Sequence, residues 1–133
     1  MPASNNLIEV VRTTCLALPE VEQRASHGAD SFFVRRKKSF CSSWADGHHD
    51  RDFPHLWLAA PPGAQDALVG GEPRHFFVPP YVGYRGWLGV RLDHRIEPDE
   101  LEELCEDAYR TVAPATLIAR LDGATKGAIP PSG

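Results

Sequence analysis

Prolines divide this chain, and they fall where the hydrophobic period changes. The 133 residues contain 12 prolines. A proline ring fixes φ and offers no N–H, so it interrupts both helix interiors and central strands. Before Pro19, apolar residues recur at helical spacing: Leu7, Val11, Thr14 and Leu18, with Ile8 and Cys15, form one stripe. Asn6 and Glu9 have capping-box spacing, so a first helix is expected over Leu7 to Leu18. Pro19 ends it by disfavouring the α conformation at Leu18.

Between Pro19 and Pro98 the period is shorter. Glu22 to Ser26 suits a short strand ending at His27-Gly28. Ser31 to Arg35 and Lys38 to Trp44 suit a hairpin. With Arg36-Lys37 as its loop, Arg35 faces Lys38, Val34 faces Ser39 and Phe33 faces Phe40. Neither loop residue is Gly, Asn or Asp, which disfavours a tight primed turn and leaves a longer loop open. Asp46 to Pro54 is polar turn material, and Leu56 to Ala60 is a further strand. Pro61-Pro62-Gly63 opens a short helix over Ala64 to Val69, closed by Gly70-Gly71. His75 to Val78 is a strand ended by Pro79-Pro80. Trp87 to Asp93 alternates, with Leu88, Val90 and Leu92 on one face and Trp87, Gly89 and Arg91 on the other.

Pro98 opens the strongest helix, where Asp99, Glu100, Glu102 and Glu103 favour the positive N-terminal end. Leu101, Leu104, Cys105, Ala108 and Val112 are its buried stripe, Pro114 ends it, and Ala115 to Leu121 adds a final helical turn or two. The expected fold is α+β: a two-layer sandwich whose antiparallel sheet has helices on one face and a more open second face. Residues 1–122 are expected to form a single domain. Residues 123–133, rich in Gly and Pro, are expected to be a flexible C-terminal tail.

Composition removes several function classes. Hydrophobic residues make up 42% and charged residues 24%, as in soluble globular proteins. No run approaches the ~18 apolar residues of a membrane span. The N-terminus lacks a basic segment followed by an apolar one, so no secretory signal is read. Cys15, Cys41 and Cys105 are odd in number and form no Cys-x-x-Cys pair, so buried free thiols and a cytoplasmic location are expected. The net charge of −4 argues against a broadly basic nucleic-acid coat. The charge is uneven, however. Residues 1–95 hold 11 basic and 10 acidic side chains, and residues 96–133 hold 3 basic and 8 acidic. The excess acid lies in the late helix, and a small basic patch elsewhere survives the total.

Several segments together resemble the MmcQ/YjbR family. They are Leu18-Pro19-Glu20-Val21-Glu22, Ser26-His27-Gly28, Lys37-Lys38-Ser39-Phe40 and Ala60-Pro61-Pro62-Gly63-Ala64-Gln65. Phe76-Phe77-Val78-Pro79-Pro80-Tyr81-Val82-Gly83 and Arg85-Gly86-Trp87-Leu88-Gly89-Val90-Arg91-Leu92-Asp93 continue the likeness. Glu106-Asp107-Ala108-Tyr109-Arg110 and Val112-Ala113-Pro114 complete it. The resemblance covers about Leu7 to Asp122. It implies a frataxin-like sandwich in a bacterial cytoplasmic protein, and a DNA-binding role through a double wing of hairpins. It supplies no catalytic residues. Relatives often carry Gly beside the Lys pair, where this chain reads Arg35-Arg36-Lys37-Lys38.

The candidate nucleic-acid contacts are Arg35, Arg36, Lys37 and Lys38 on one hairpin tip and Tyr84 and Arg85 on a second loop. Four to six phosphate contacts would give weak, salt-sensitive DNA binding. The same cations also suit a solvated turn that guards an exposed strand edge. Gly83-Tyr84-Arg85-Gly86 matches a nucleotide-clamping G-x-x-G, but no helix precedes it and a strand follows, so it reads as a β-turn. A rival surface is the open sheet face around Trp57, Trp87 and Arg91, joined by Trp44, which would take a small molecule or protein partner. His48 and His49 are adjacent and would diverge on a strand. His27, His75, Asp46, Asp50 and Asp52 could meet only through the fold, so no metal site is expected. The acidic run Glu97 to Asp107 reads as a solvated face. No nucleophile, phosphate-loop or dinucleotide fingerprint is present. A monomeric, non-enzymatic binding protein without a cofactor is expected.

Overall fold

The computed structural model describes residues 3–26, 28–45, 53–94 and 96–128. Its elements are α1 (Ala3–Leu16), β1 (Val21–Ser26), β2 (Ala29–Val34), β3 (Lys38–Trp44) and β4 (His55–Leu58). They continue with α2 (Ala64–Gly71), β5 (Phe76–Phe77), a 3-10 turn (Gly83–Arg85), β6 (Leu88–Arg91), α3 (Pro98–Val112) and α4 (Ala115–Ala128). The strands form one sheet in the order β1-β2-β3-β4-β6-β5, and each described pair is antiparallel. Helices α1 and α3 pack on each other, and α3 crosses β3 and β4. The chain is a two-layer α+β sandwich, as its alternating periods require.

Several boundaries differ from expectation. Helix α1 starts at Ala3, so Asn6 lies inside it and not at its cap. It stops at Leu16, and the Leu18 N–H donates to the Cys15 carbonyl at 3.1 Å before Pro19. Helix α2 takes in Gly70 and Gly71, and the Glu72 N–H closes it on the Leu68 carbonyl at 2.8 Å. Helix α4 runs on to Ala128, through the first residues of the segment expected as a tail. Gly123 costs only about 1 kcal/mol in a helix, and the residues after it up to Ala128 include no proline. Strands β4, β5 and β6 are shorter than expected. Single hydrogen bonds extend the ladder beyond them, from Ala59 N–H to the Phe40 carbonyl and from Arg91 N–H to the His75 carbonyl, each at 2.9 Å.

Register explains the two faces. Leu56 pairs with Val90, Leu58 with Leu88, and Phe76 with Val90, and these buried side chains meet the helices. Between β2 and β3 the pairing jumps from Phe32↔Cys41 to Phe33↔Ser39, so Phe40 is the extra residue of a bulge. A bulge turns two neighbouring side chains toward one side. Phe40 meets the Tyr109 ring edge-on at 5.6 Å, while Cys41 lies beside Cys15 and Cys105. The three cysteines, far apart in sequence, thus converge as buried free thiols between α1, β3 and α3. The hydrogen bond to Cys105 raises the Cys15 thiol above its ordinary value, helped by Cys41 and burial. Burial first, and Cys105 next, raises Cys41. The Tyr109 hydroxyl donates to the Pro19 carbonyl at 2.8 Å and ties α3 to the turn after α1.

The second face, expected to be more open, is closed by rings. Trp44 stacks on His55 at 5.3 Å and lies 4.1 Å from Trp57, while Phe77 stands 5.7 Å from His55. Gly89 makes room for this layer. A Cβ there would lie 2.4 Å from the Phe77 ring. Gly89→Ala is therefore expected to lower the unfolding free energy by about 1–3 kcal/mol, the range for overpacking. Urea denaturation measures it, and the same substitution in a Phe77→Ala background should cost less, because the two positions share the space.

Candidate anion-binding cleft

The basic hairpin tip is bent more tightly than its residues favour. Arg35 and Arg36 have left-handed φ values of 52° and 64°. Such a conformation costs an L-residue about 1–2 kcal/mol, and primed turns usually place Gly or Asn there. The loop is Arg35 to Lys37, and the Lys37 N–H donates to the Val34 carbonyl at 3.0 Å. Strand β1 and the turn before it hold the tip in place. The Arg35 N–H donates to the Glu20 carbonyl at 3.0 Å, and its Nε to Glu20 Oε1 at 3.1 Å. Arg36 Nε lies 2.9 Å from Glu22 Oε2, and Arg24 Nη2 donates to the Arg36 carbonyl at 2.9 Å. Glu20 also meets Arg120 Nη1 at 3.1 Å. Each exposed pair is weak alone. Together they offset the strain, and they set a carboxylate against Arg35 and another against Arg36.

Lys37 and Lys38 lie beyond those carboxylates. With Ser39 they line one side of a cleft of about 410 Å³. Arg85 and Trp87 line another side, and Thr111 and Val112 at the C-terminal end of α3 complete it. The two loops read separately in the sequence therefore meet at one cleft. The Arg85 guanidinium sits 5.5 Å from the Trp87 ring centroid. Gln65 positions this loop by donating from Nε2 to the Gly83 carbonyl at 2.9 Å and to the Trp87 carbonyl at 2.6 Å. Three cations and the Ser39 hydroxyl around one concavity can hold an oxyanion such as phosphate, while the Thr111 hydroxyl, which donates to the Asp107 carbonyl at 2.7 Å, forms part of the wall. Sequence patterning assigned no site role to Thr111, Gln65, Glu20 or Glu22, since Gln65, Glu20 and Glu22 act across the fold and Thr111 reaches the cleft only through the placement of α3.

The rival surface is corrected by burial. Trp57 and Trp87 are only 7% and 5% exposed, so their rings form no open platform. Arg91 is engaged as well. Its Nε and Nη2 donate to the Asp93 carboxylate at 2.9 and 2.6 Å, and its guanidinium lies 4.0 Å over Phe53. Strand β4 is buried on both sides, and the ring layer that covers it consumes the face.

The acidic end of α3 lies far from the basic cleft. Glu97 and Glu100 line a separate cleft of about 270 Å³ with Glu72, His75 and His94, whose two imidazoles stack at 3.8 Å. Asp99 and Thr111 are separated by about 18 Å along the helix axis, at about 1.5 Å per residue. That exceeds the screening length of about 8 Å at physiological salt. Asp107 is nearer, and Glu106 is held by Arg110 at 3.2 Å. Among the described residues no group of three His, Cys, Asp or Glu is placed to hold a metal ion. His27, His48, His49, Asp46, Asp50 and Asp52 lie outside the described residues. No described helix is long and apolar enough to cross a membrane.

A family model described as YjbR matches residues 16–111. The crystal structure of a Deinococcus radiodurans protein with a DUF419 domain has the same fold, with a TM-score of 0.68 at 17% identity. The match covers 86% of this chain and 87% of that one. No curated protein matches the chain.

The Arg91–Asp93 pair gives a pH signature. The hydrogen bond from Arg91 holds the Asp93 carboxyl below its ordinary value, against a smaller opposing effect of burial. A carboxyl lowered by folding adds stability above its unfolded pKa of about 3.9 and loses it as pH falls through the folded value. Asp93→Asn should therefore cost about 0.5–1 kcal/mol at pH 7, allowing for solvent screening. The gap from wild type should close under acid conditions, as read by denaturation at both pH values.

Proposed function

The chain belongs to the YjbR family, and for a member built this way we propose that the basic cleft binds nucleic acid through its phosphates, without catalysis. The observation that carries this reading is the convergence of Lys37, Lys38 and Arg85 on one cleft with Ser39 and Thr111. Phosphate contacts supply most non-specific nucleic-acid affinity, and they need cations free of intramolecular carboxylates. Arg35 and Arg36 already face Glu20 and Glu22, so their part is to shape the tip. The effective contact count falls to about three, below the four to six that the sequence suggested.

The cleft volume of about 410 Å³ also favours a second reading, a small phosphorylated ligand in the same place. Competition by a mononucleotide separates the two. A small-ligand site would bind it more tightly than an oligonucleotide, and a nucleic-acid site would rank them the other way.

Anisotropy titration of a labelled oligonucleotide at low salt tests the main reading. The expected log–log salt slope is about 3 for duplex and about 2 for single strand, from three contacts. Replacing Lys37, Lys38 and Arg85 by Ala should reduce affinity by at least about tenfold and flatten that slope. Replacing Arg35 and Arg36 should change the slope little and lower the melting temperature. Binding that is absent at low salt, or insensitive to loss of the three cations, would overturn the reading.

A further inference from the structure

Exposed apolar side chains are concentrated on one loop. The large hydrophobic residues exposed in the described surface are Leu16, Val78, Tyr81 and Tyr84, at 39%, 49%, 71% and 88%. Single exposed apolar residues need no explanation, but here all except Leu16 lie between positions 78 and 84. The same loop carries Arg85, which lines the basic cleft.

This loop is held in shape. The Val82 N–H donates to the Pro80 carbonyl at 2.7 Å, and the Arg85 N–H to the Val82 carbonyl at 3.0 Å. Gly86 turns the chain into β6 with φ 84°, and its N–H donates to the Gly83 carbonyl at 3.0 Å. Val78 lies against Gly83, where a Cβ would come within 2.6 Å of its Cγ1. Tyr81 has a left-handed φ of 68°, strained for a bulky residue, and its ring stands 6.4 Å from Trp57. The Tyr84 ring projects further into solvent than Tyr81. Two aromatic side chains are thus presented outward on a rigid support beside a cation cleft.

Aromatic rings beside cations suit a strand whose bases are unpaired. In a duplex the base faces are stacked on one another, whereas in a single strand each base has a face to offer. Stacking on a protein ring is worth roughly 5- to 150-fold in affinity per base. We propose that this loop makes the protein a single-strand binder, with Tyr84 and Tyr81 stacking unpaired bases while Lys37, Lys38 and Arg85 hold the adjoining phosphates. The proposal rests on the nucleic-acid reading and adds to it the form of nucleic acid. The rings provide preference for unpaired bases and the cations provide salt dependence, so the two contributions separate experimentally.

The experiment compares three labelled probes of equal length: an oligothymidine, a duplex, and an abasic single strand that keeps the phosphates. The full chain should bind the oligothymidine about tenfold or more tightly than either of the others. Tyr84→Ala should reduce oligothymidine affinity by about tenfold, leave duplex and abasic binding unchanged and leave the salt slope unchanged. Tyr84→Trp should restore it, and Tyr81→Ala should act in the same direction. Because Tyr84 is 88% exposed, its removal should leave the thermal unfolding curve in place. Equal binding of oligothymidine and abasic strand, or no effect of Tyr84→Ala, overturns this inference and leaves phosphate binding standing. Failure of all three probes to bind overturns both.

Discussion

Strand β4 is buried on both faces, and the rest of the molecule is arranged around that fact. His55, Leu56, Trp57 and Leu58 are all buried. Leu56 and Leu58 meet the helix layer, as expected of a two-layer sandwich. His55 and Trp57 point the other way and require a second cover, which Trp44, Phe53 and Phe77 supply as a ring layer. Gly89 allows Phe77 into that layer, and Trp57 gives Tyr81 a ring to rest near. The placement of Tyr81 is thus tied to how the central strand is covered.

The basic cleft rests on a second constraint, the left-handed tip of the β2–β3 hairpin. Two arginines accept an unfavourable backbone because Glu20, Glu22 and Arg24 hold them there. The consequence is a division of labour within one basic run. Its first half is tied back to β1 and its near end, and its second half faces the cleft. Charge along α3 completes the arrangement, because its acidic first turn faces one end of the sheet and its Thr111 and Val112 the other. A net charge of −4 and a local cationic cleft coexist because a helix of this length keeps its acidic first turn beyond the screening distance.

Much of the fold was legible because prolines and periodicity are local signals. Pro98 and Pro114 bracket α3 as expected, and Leu88 and Val90 take the face that their alternation assigns. The errors arose where a non-local contact governs. Leucine and tryptophan on alternating positions of β4 look alike whether one face is open or covered, and only the ring layer distinguishes them. The bulge at Phe40 is not signalled by any turn residue in Lys38-Ser39-Phe40-Cys41-Ser42-Ser43-Trp44, yet it brings Phe40 and Cys41 to the same side.

By itself the sequence determined the α+β class, the order of elements, the family and the two loops that carry the cations, since each depends on residues close together in the chain. The tertiary structure alone decided which cations remain available, because Glu20 and Glu22 reach Arg35 and Arg36 across strands. It alone decided that Trp57 and Trp87 are covered, that three scattered cysteines touch, and that Lys37, Lys38 and Arg85 share a cleft with Thr111. Those outcomes depend on distances between residues on different strands and helices, which no local pattern encodes.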